Sequence, residues 1–407
     1  MGISREHFQV AAEPSLKQCG PPLHISGRLD RQGLFRGLHR GVRGGIQRNN
    51  GNGGDAGSWA LVPNAYFAME VNPQTRVGLG INAPFGLQTD YDADWIGRFQ
   101  AKKSKIQTIN VNPSVSYDVN ETASLGVGLN YQRITGDLTS AINWAAIAFT
   151  AAGGGAGGLG AANAANAAGQ GEGVTTVTGD DTAWGYNLGV LLKASEQMRV
   201  GFAYRSSIKY KLTGSVNFSN RPTAATLGAP LANGIAGAYP DGPVSLDIKM
   251  PDSFSVSMFN RMGDKWDVMA DATWTGWSVF NQLNVLRDNG TTLSSTPENW
   301  KNTWRFAVGA NHHYSEQWTS RIGVAYDQTP VSDAYRTARI PDNNRTWLSL
   351  GGQYKFTQAS ALDFGYAHLI VSDASINKDG TATASGNLVG TYKNSVDILS
   401  VQYTYSF

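Results

Sequence analysis

Four arginines, Arg205, Arg305, Arg321 and Arg345, fall on the polar side of segments that alternate polar and apolar, and Asp271, Asp327 and Asp363 are available on the same side. A guanidinium so placed can hold a carboxylate by charge-assisted hydrogen bonds, or it can pair with an aspartate in an internal network that stiffens the fold. Both readings stay open for each arginine; Arg205, nearest the outer end of its segment, is the one we assign to a ligand carboxylate. Catalytic chemistry has little material. Of the six histidines, His7, His24 and His39 lie in the first fifty residues, His368 has the apolar parity, and His312 and His313 flank a short turn as a solvated pair. Ser320 comes near His313, but no third group orients them as a nucleophile and base require. Cys19 is the single cysteine, which excludes a disulfide framework and a cysteine metal site. The GLG of VGLGIN sits inside an alternating segment with no helix after it, so it is not a dinucleotide loop. The residues therefore specify no enzyme, no cofactor and no metal.

The elements that position these groups have period two. In SLGVGLNYQ, Leu125, Val127, Leu129 and Tyr131 face one way while Gly126, Gly128, Asn130 and Gln132 face the other. The pattern returns in WGYNLGVLL, RVGFAYRS, TWRFAVGAN, SRIGVAYD, TWLSLGGQYKF and the terminal VDILSVQYTYSF. Short turns such as VNPQ, DVNE, ASEQ, MGDK, YSEQ and FTQA alternate with long connections, among them 136–179, 213–244, 280–299, 330–343 and 372–391. Thirteen strands are readable between 59 and 407. The face opposite the apolar stripe is rich in Gly, Asn, Ser, Arg and Asp, a poor core for a soluble sandwich but a suitable polar lumen. The fold class is all-β, a transmembrane antiparallel up-and-down β-barrel with short turns toward the periplasm. No run of about 18 apolar residues exists to form a membrane helix.

Charge divides the chain. Lys plus Arg number 33 against 31 Asp plus Glu, which implies no nucleic-acid partner, and the positive excess comes from residues 1–50. That segment carries Arg36, Arg40, Arg43 and His39 on a glycine-rich frame, with no export signal and no alternating strand. Bacterial single-chain barrels have an even number of strands, so one more is expected before Gly51. We read 1–50 as an out-of-frame or misassigned start and 51–407 as the barrel; the alternative is a genuine basic arm.

The segments VGLGINAPFGLQTDY, WIGRFQA, PDSFSVSMF, DATWTGWSVF, NWKNTWRFAVGA, RIGVAYDQTPV, RIPDNNRTWLSLGGQY, DFGYAHL and YTYSF resemble, in order through nearly all of 51–407, the outer-membrane transporters of the FadL/TodX type. The resemblance implies fourteen strands, a lumen closed by an N-terminal hatch that has no counterpart in 1–50, a bacterial outer-membrane location in contact with lipid, and uptake of long-chain fatty acids or related hydrophobic compounds. We read the protein as a monomer. Small aromatic hydrocarbons are the alternative substrate class, and a general diffusion porin the alternative function.

Two places carry that transport. Leu138, Ile142, Trp144, Ile147 and Phe149 put apolar groups into a long outer connection, where exposure marks interaction sites; the run is expected to form a short helix followed by a flexible Gly/Ala tract. The family adds that this loop and the next, around Leu227, Leu231 and Ile235, form a surface groove; packing onto the loop's own rim is the other reading. In GINAPFGL, Pro84 cannot donate to a ladder and Gly86 permits a bulge. The family carries a kink in the corresponding strand, opening a lateral path, and Asn82, Pro84 and Gly86 fit it; a plain strand end is the alternative.

Overall fold

The computed structural model describes residues 51–380 and 385–407; the reading of 1–50 lies outside them. One antiparallel sheet runs through β1 (Ala65–Asn72), β2 (Thr75–Asn82), β3 (Gly86–Asp90), β4 (Lys103–Asp118), β5 (Ala123–Ile142), β6 (Gly173–Lys193), β7 (Met198–Arg205), β8 (Ile208–Phe218), β9 (Gly242–Met250), β10 (Ser253–Met262), β11 (Trp266–Thr275), β12 (Gln282–Arg287), β13 (Thr292–Pro297), β14 (Thr303–His313), β15 (Trp318–Asp327), β16 (Arg345–Lys355), β17 (Ser360–Val371) and β20 (Ser395–Tyr405). A separate outer hairpin pairs β18 (Ala374–Lys378) with β19 (Leu388–Tyr392). The pairs β2/β3, β7/β8, β9/β10, β11/β12 and β13/β14 are each one interrupted path, so among the described residues the wall has thirteen paths. The periodicity gives the same count. At the ends of the sheet, β1 pairs with β2 and β20 with β17, and the rings of Phe67 and Phe407 stack at 6.0 Å.

Outward side chains are apolar at membrane level: Leu125, Val127, Leu129, Leu188, Phe306, Val308, Ile322, Val324, Leu350 and Val401 are all exposed. Aromatic residues rim this band, with Tyr131 on Trp184 at 4.9 Å and Tyr186 near Tyr204 at 6.1 Å toward the outside, and Trp318 on Tyr354 at 4.7 Å toward the short turns. Lipid supplies no hydrogen-bond partners, so the ladder must satisfy the backbone and the side chains must satisfy the lipid.

Above the outer rim the strands turn inside out. In β7, Val200, Phe202 and Tyr204 face lipid; in β8, Ile208, Tyr210 and Leu212 are buried inward while Lys209, Lys211 and Thr213 are exposed. The switch is a bulge: between the pairs Asn187↔Arg205 and Asp180↔Thr213, β6 contributes one residue fewer than the β7/β8 path. One extra residue flips every later side chain to the other face. The partner path flips alike at Pro251–Asp252, where the lipid-facing Phe254 of β10 gives way to the buried Ile248 and Met250 of β9. Water now lies outside, and the apolar residues collect within, with Ile134, Ile208, Tyr210, Leu212, Ile248, Met250 and Phe280 in one cluster.

The strands run further outward than the loop boundaries in the sequence suggest, because β5, β6, β8 and β9 keep pairing above the membrane. Leu138 and Ile142 consequently belong to β5, and the helix begins only at α1 (Trp144–Ala151), capped by Asn143 Oδ1 accepting from the Ala146 N–H. The Gly/Ala tract expected to be flexible is α2 (Gly155–Ala167). Its small side chains permit the approach to α1: a Cβ on Gly158 would lie 2.6 Å from the Phe149 carbonyl oxygen. Two further helices, α3 (Ala224–Leu227) and α4 (Ala229–Ala238), complete this corner.

Closeness of backbone also decides Gly214, where an added Cβ would sit 1.8 Å from Thr178 O. Gly214→Val is therefore expected to separate β8 from β6 and to abolish the compact, heat-modifiable form of the barrel on a denaturing gel; a normal shift would show that the outer ladder is dispensable.

Candidate functional site

The lumen at the height of the bulge carries a belt of amides. Asn82 pairs across with Asn110 and Asn110 with Gln132, while Asn187 pairs with Arg205; on the intervening ladder Gln132 faces Ala183 and Asn187 faces Gly128, so side-chain hydrogen bonds join the two register-aligned groups. Asn112 Nδ2 donates to Asn187 Oδ1 at 2.7 Å, Asn110 Nδ2 to Asn130 Oδ1 at 3.1 Å, and Asn130 Nδ2 to Asn187 Oδ1 at 3.1 Å. Arg205 Nη2 donates to Asn130 Oδ1 at 3.2 Å and Gln132 Oε1 at 3.3 Å. A cavity of about 100 Å³ lies against this belt. At this cavity Asn82 Oδ1 and Asn110 Oδ1 are buried without a hydrogen-bond partner, which leaves hydrogen-bonding capacity for a polar head group.

The other three lumen arginines have aspartate partners. Arg305 lies 3.6 Å from Asp271, Arg321 2.6 Å from Asp363, and Arg345 3.6 Å from Asp327 and 2.7 Å from Asp342. The ion-pair reading holds for these three; Arg205 donates to the amides of Asn130 and Gln132.

Beside the belt the wall is interrupted. The β2–β4 ladder ends at Asn82↔Asn110 and the β3–β4 ladder begins at Gly86↔Gln107, so Ala83–Phe85 spans one residue more than Thr108–Ile109 opposite. Thr108 staples the bulge, its Oγ1 accepting from the Phe85 N–H at 2.9 Å and donating to the Phe85 carbonyl at 2.8 Å. On the other flank, β1 pairs with β2 only as far as Ala65↔Ile81, and β3 has no ladder partner there among the described residues. Asn82 and Pro84 are buried at this break and Gly86 is exposed, with open space where its Cβ would point. The strand does not end at Gly86; it resumes.

The outer apolar residues meet in a different way from the one expected. Trp144 is fully buried, its indole N–H donating to Ser219 O at 2.9 Å and its ring edge-on to Tyr239 at 5.5 Å. Ile235 is buried in the same cluster, and Ile142, Ile147, Leu227 and Leu231 pack half-buried around it; Phe149 lies against the glycines of α2. The exposed placement expected for Trp144 is thus corrected to rim packing, and Ile235, which the resemblance puts in a surface groove, is buried with it, because β8 and β9 extend far enough out to cover them. His312 and His313 are likewise not a solvated pair: His313 Nε2 lies 2.7 Å from Asp267, and the His312 ring packs on Trp266 and Tyr314.

Outer loops pack on one another and on the strand ends. Tyr91 stacks on the buried Trp95 at 4.0 Å and donates its hydroxyl to Ala338 O at 2.6 Å. Arg339 donates to Lys103 O, Ser104 Oγ and Thr139 O, tying the 328–344 connection to β4 and β5. Burial lowers its pKa to about 10, against the opposing charge of Glu298.

These features define an outer-membrane barrel transporter with an apolar outer chamber, a polar belt and an interrupted wall. The chain matches, over residues 25–407, the family described as outer membrane protein transport protein (OMPP1/FadL/TodX), and it belongs to that family. The match begins inside the basic segment. A long-chain fatty acid transport protein of Escherichia coli O6:H1 is 30% identical over 321 residues, 76% of this chain and 69% of that protein. The crystal structure of a Pseudomonas aeruginosa FadL homologue superposes with a TM-score of 0.78 at 30% identity, covering 94% of this chain and 87% of that one. The Ralstonia pickettii toluene transporter TbuX shares the fold, with a TM-score of 0.59 at 20% identity and coverage of 88% and 84%. Like its family, whose members are transporters, the protein resides in the outer membrane of Gram-negative bacteria and transports hydrophobic compounds.

Glu298 supplies a pH test of the outer packing. Burial pushes its carboxyl up to about 7 from 4.5, with the Trp300 indole N–H, Lys378 and Arg339 pulling the other way. A raised folded pKa means that the folded state holds the proton more tightly, so the contribution is full at low pH and is lost as pH rises through 7. Glu298→Gln is expected to flatten the fall in thermal midpoint between about pH 5 and about pH 8, read by tryptophan fluorescence melts; an unaltered slope would place the sensitivity elsewhere.

Proposed function

We propose that this protein takes up long-chain fatty acids, capturing them at the α1–α4 corner, holding the carboxylate at Arg205, and releasing them sideways through the break at Ala83–Phe85. The observation that carries this reading is the adjoining placement of the break and the amide belt: Asn82 is both the last β2 residue and a belt member. A single acidic head group on an apolar chain needs a cation in a polar niche, and Arg205, whose guanidinium donates to the Asn130 and Gln132 amides beside the lumen cavity, offers one. The half-buried Ile147, Phe149, Leu227 and Leu231 offer apolar surface for capture. The names of the relatives, a fatty acid transporter in one case and a toluene transporter in the other, frame the choice of substrate. Arg205 favours the acid.

Complementing a transporter-deletion strain is expected to restore growth on oleate, and Arg205→Leu to lower oleate uptake at limiting concentration several-fold while leaving toluene entry unchanged. Growth restored on toluene alone would reverse the assignment. Gly86→Trp, which fills the open space at the break, is expected to block uptake of radiolabelled oleate with the barrel still heat-modifiable; normal uptake would remove the lateral route.

A further inference from the structure

We propose that an outward-facing cleft between β9 and β12, framed by Lys209, Lys211 and Lys249, binds the phosphorylated head group of an outer-leaflet lipid. The cleft exists because the β11/β12 path leaves the sheet. After Ser253↔Thr275 it turns through the 3₁₀ segment Trp277–Val279 and rejoins only at Leu246↔Val285, so among the described residues Asp247–Met250 has no ladder partner on that side. The resulting open space is about 610 Å³; Lys209, Lys211 and Lys249 line it together with Asp181 and Asp247, and Phe280, Asn281 and Gln282 line its other side.

Its charge arrangement is unlike its surroundings. Lys209 and Lys249 are register partners on the same outward face, so two ammonium groups stand directly opposed, an arrangement that is unfavourable by itself. Lys211 at least faces Asp247, and its backbone N–H is held by Asp181 Oδ2 at 2.7 Å. Other cations of the outer strands are paired: Arg133 with Asp180 at 3.1 Å and, further out, Lys103 with Asp137 at 2.9 Å. Among the described residues, no carboxylate lies within 4.0 Å of Lys209 or Lys249.

Position selects the ligand. The cleft lies immediately above the outer aromatic rim, marked by Trp184 and Tyr204, which is the depth of lipid head groups. A phosphate carries enough charge to bridge two opposed lysines, and the amides of Asn281 and Gln282 add uncharged donors. A substrate carboxylate would match only one lysine, and it is the lumen, not this outer face, that leads it inward. The lipid anchored here would pack its acyl chains down the apolar outer wall and seal the protein where its ladder is incomplete.

The test compares retention of diphosphorylated lipid A and its dephosphorylated form by the full chain in detergent, read by native mass spectrometry. The phosphorylated lipid is expected to be retained about tenfold more strongly, with the preference weakening in salt. Lys209→Gln/Lys249→Gln, at outward positions away from the core, is expected to lose the preference while keeping the heat-modifiable barrel. Equal retention of both lipids, or a preference intact in the double variant, would overturn the site. Competitive displacement of the lipid by equimolar oleate would overturn it as well, by making the cleft a substrate dock.

Discussion

A bilayer interior offers the backbone no hydrogen-bond partner, and each unsatisfied group there costs on the order of several kcal/mol. The ladder from β1 around to β20 answers that demand, and the two-residue period then delivers apolar side chains to lipid and polar ones to the lumen. The sites we propose occupy places where this demand is relaxed. The amide belt faces the lumen, the bulge at Ala83–Phe85 is stapled by a threonine side chain, and the open cleft at Asp247–Met250 lies above the rim, where water can serve the backbone.

The reversal of faces above the rim follows from the same solvent argument. Below it the outside is oil and the inside is polar; above it the outside is water and the inside can be oil. One extra residue at Ser206–Ser207 suffices to exchange the faces, and it builds an apolar chamber of Tyr210, Leu212, Ile248 and Phe280 directly over a polar belt. An amphiphilic molecule descending this path would pass from apolar surroundings to a hydrogen-bonding ring. The boundary between them is set by Arg205, which closes β7 just beneath the switch.

The belt combines rigidity with spare capacity. Arg305, Arg321 and Arg345 are committed to aspartates, which stiffens the opposite wall, whereas the asparagines around Arg205 are joined by uncharged hydrogen bonds and leave buried atoms without partners. Amides present both a donor and an acceptor, so the ring can share a head group with Arg205 through uncharged hydrogen bonds.

Much of this was legible in the residues. Alternation set the thirteen paths, the membrane class and the lumen parity of Arg205, Asn130 and Gln132, because a strand's two-residue period is a local property of the chain. Pro84 and Gly86 announced the break for a similarly local reason. The height of the strands was not legible: β5, β6, β8 and β9 continue past the membrane by pairing with one another, and that turned Trp144 from an exposed loop residue into a buried one and the Gly/Ala tract into a helix packed on its neighbour. Nor could spacing show that Asn82, Asn110, Gln132 and Arg205 share one level, or that Lys209 and Lys249 oppose each other, since register between distant strands is fixed by bulges and turns acting together. The sequence by itself determined which face each side chain takes; only the tertiary structure decided which side chains meet across the wall.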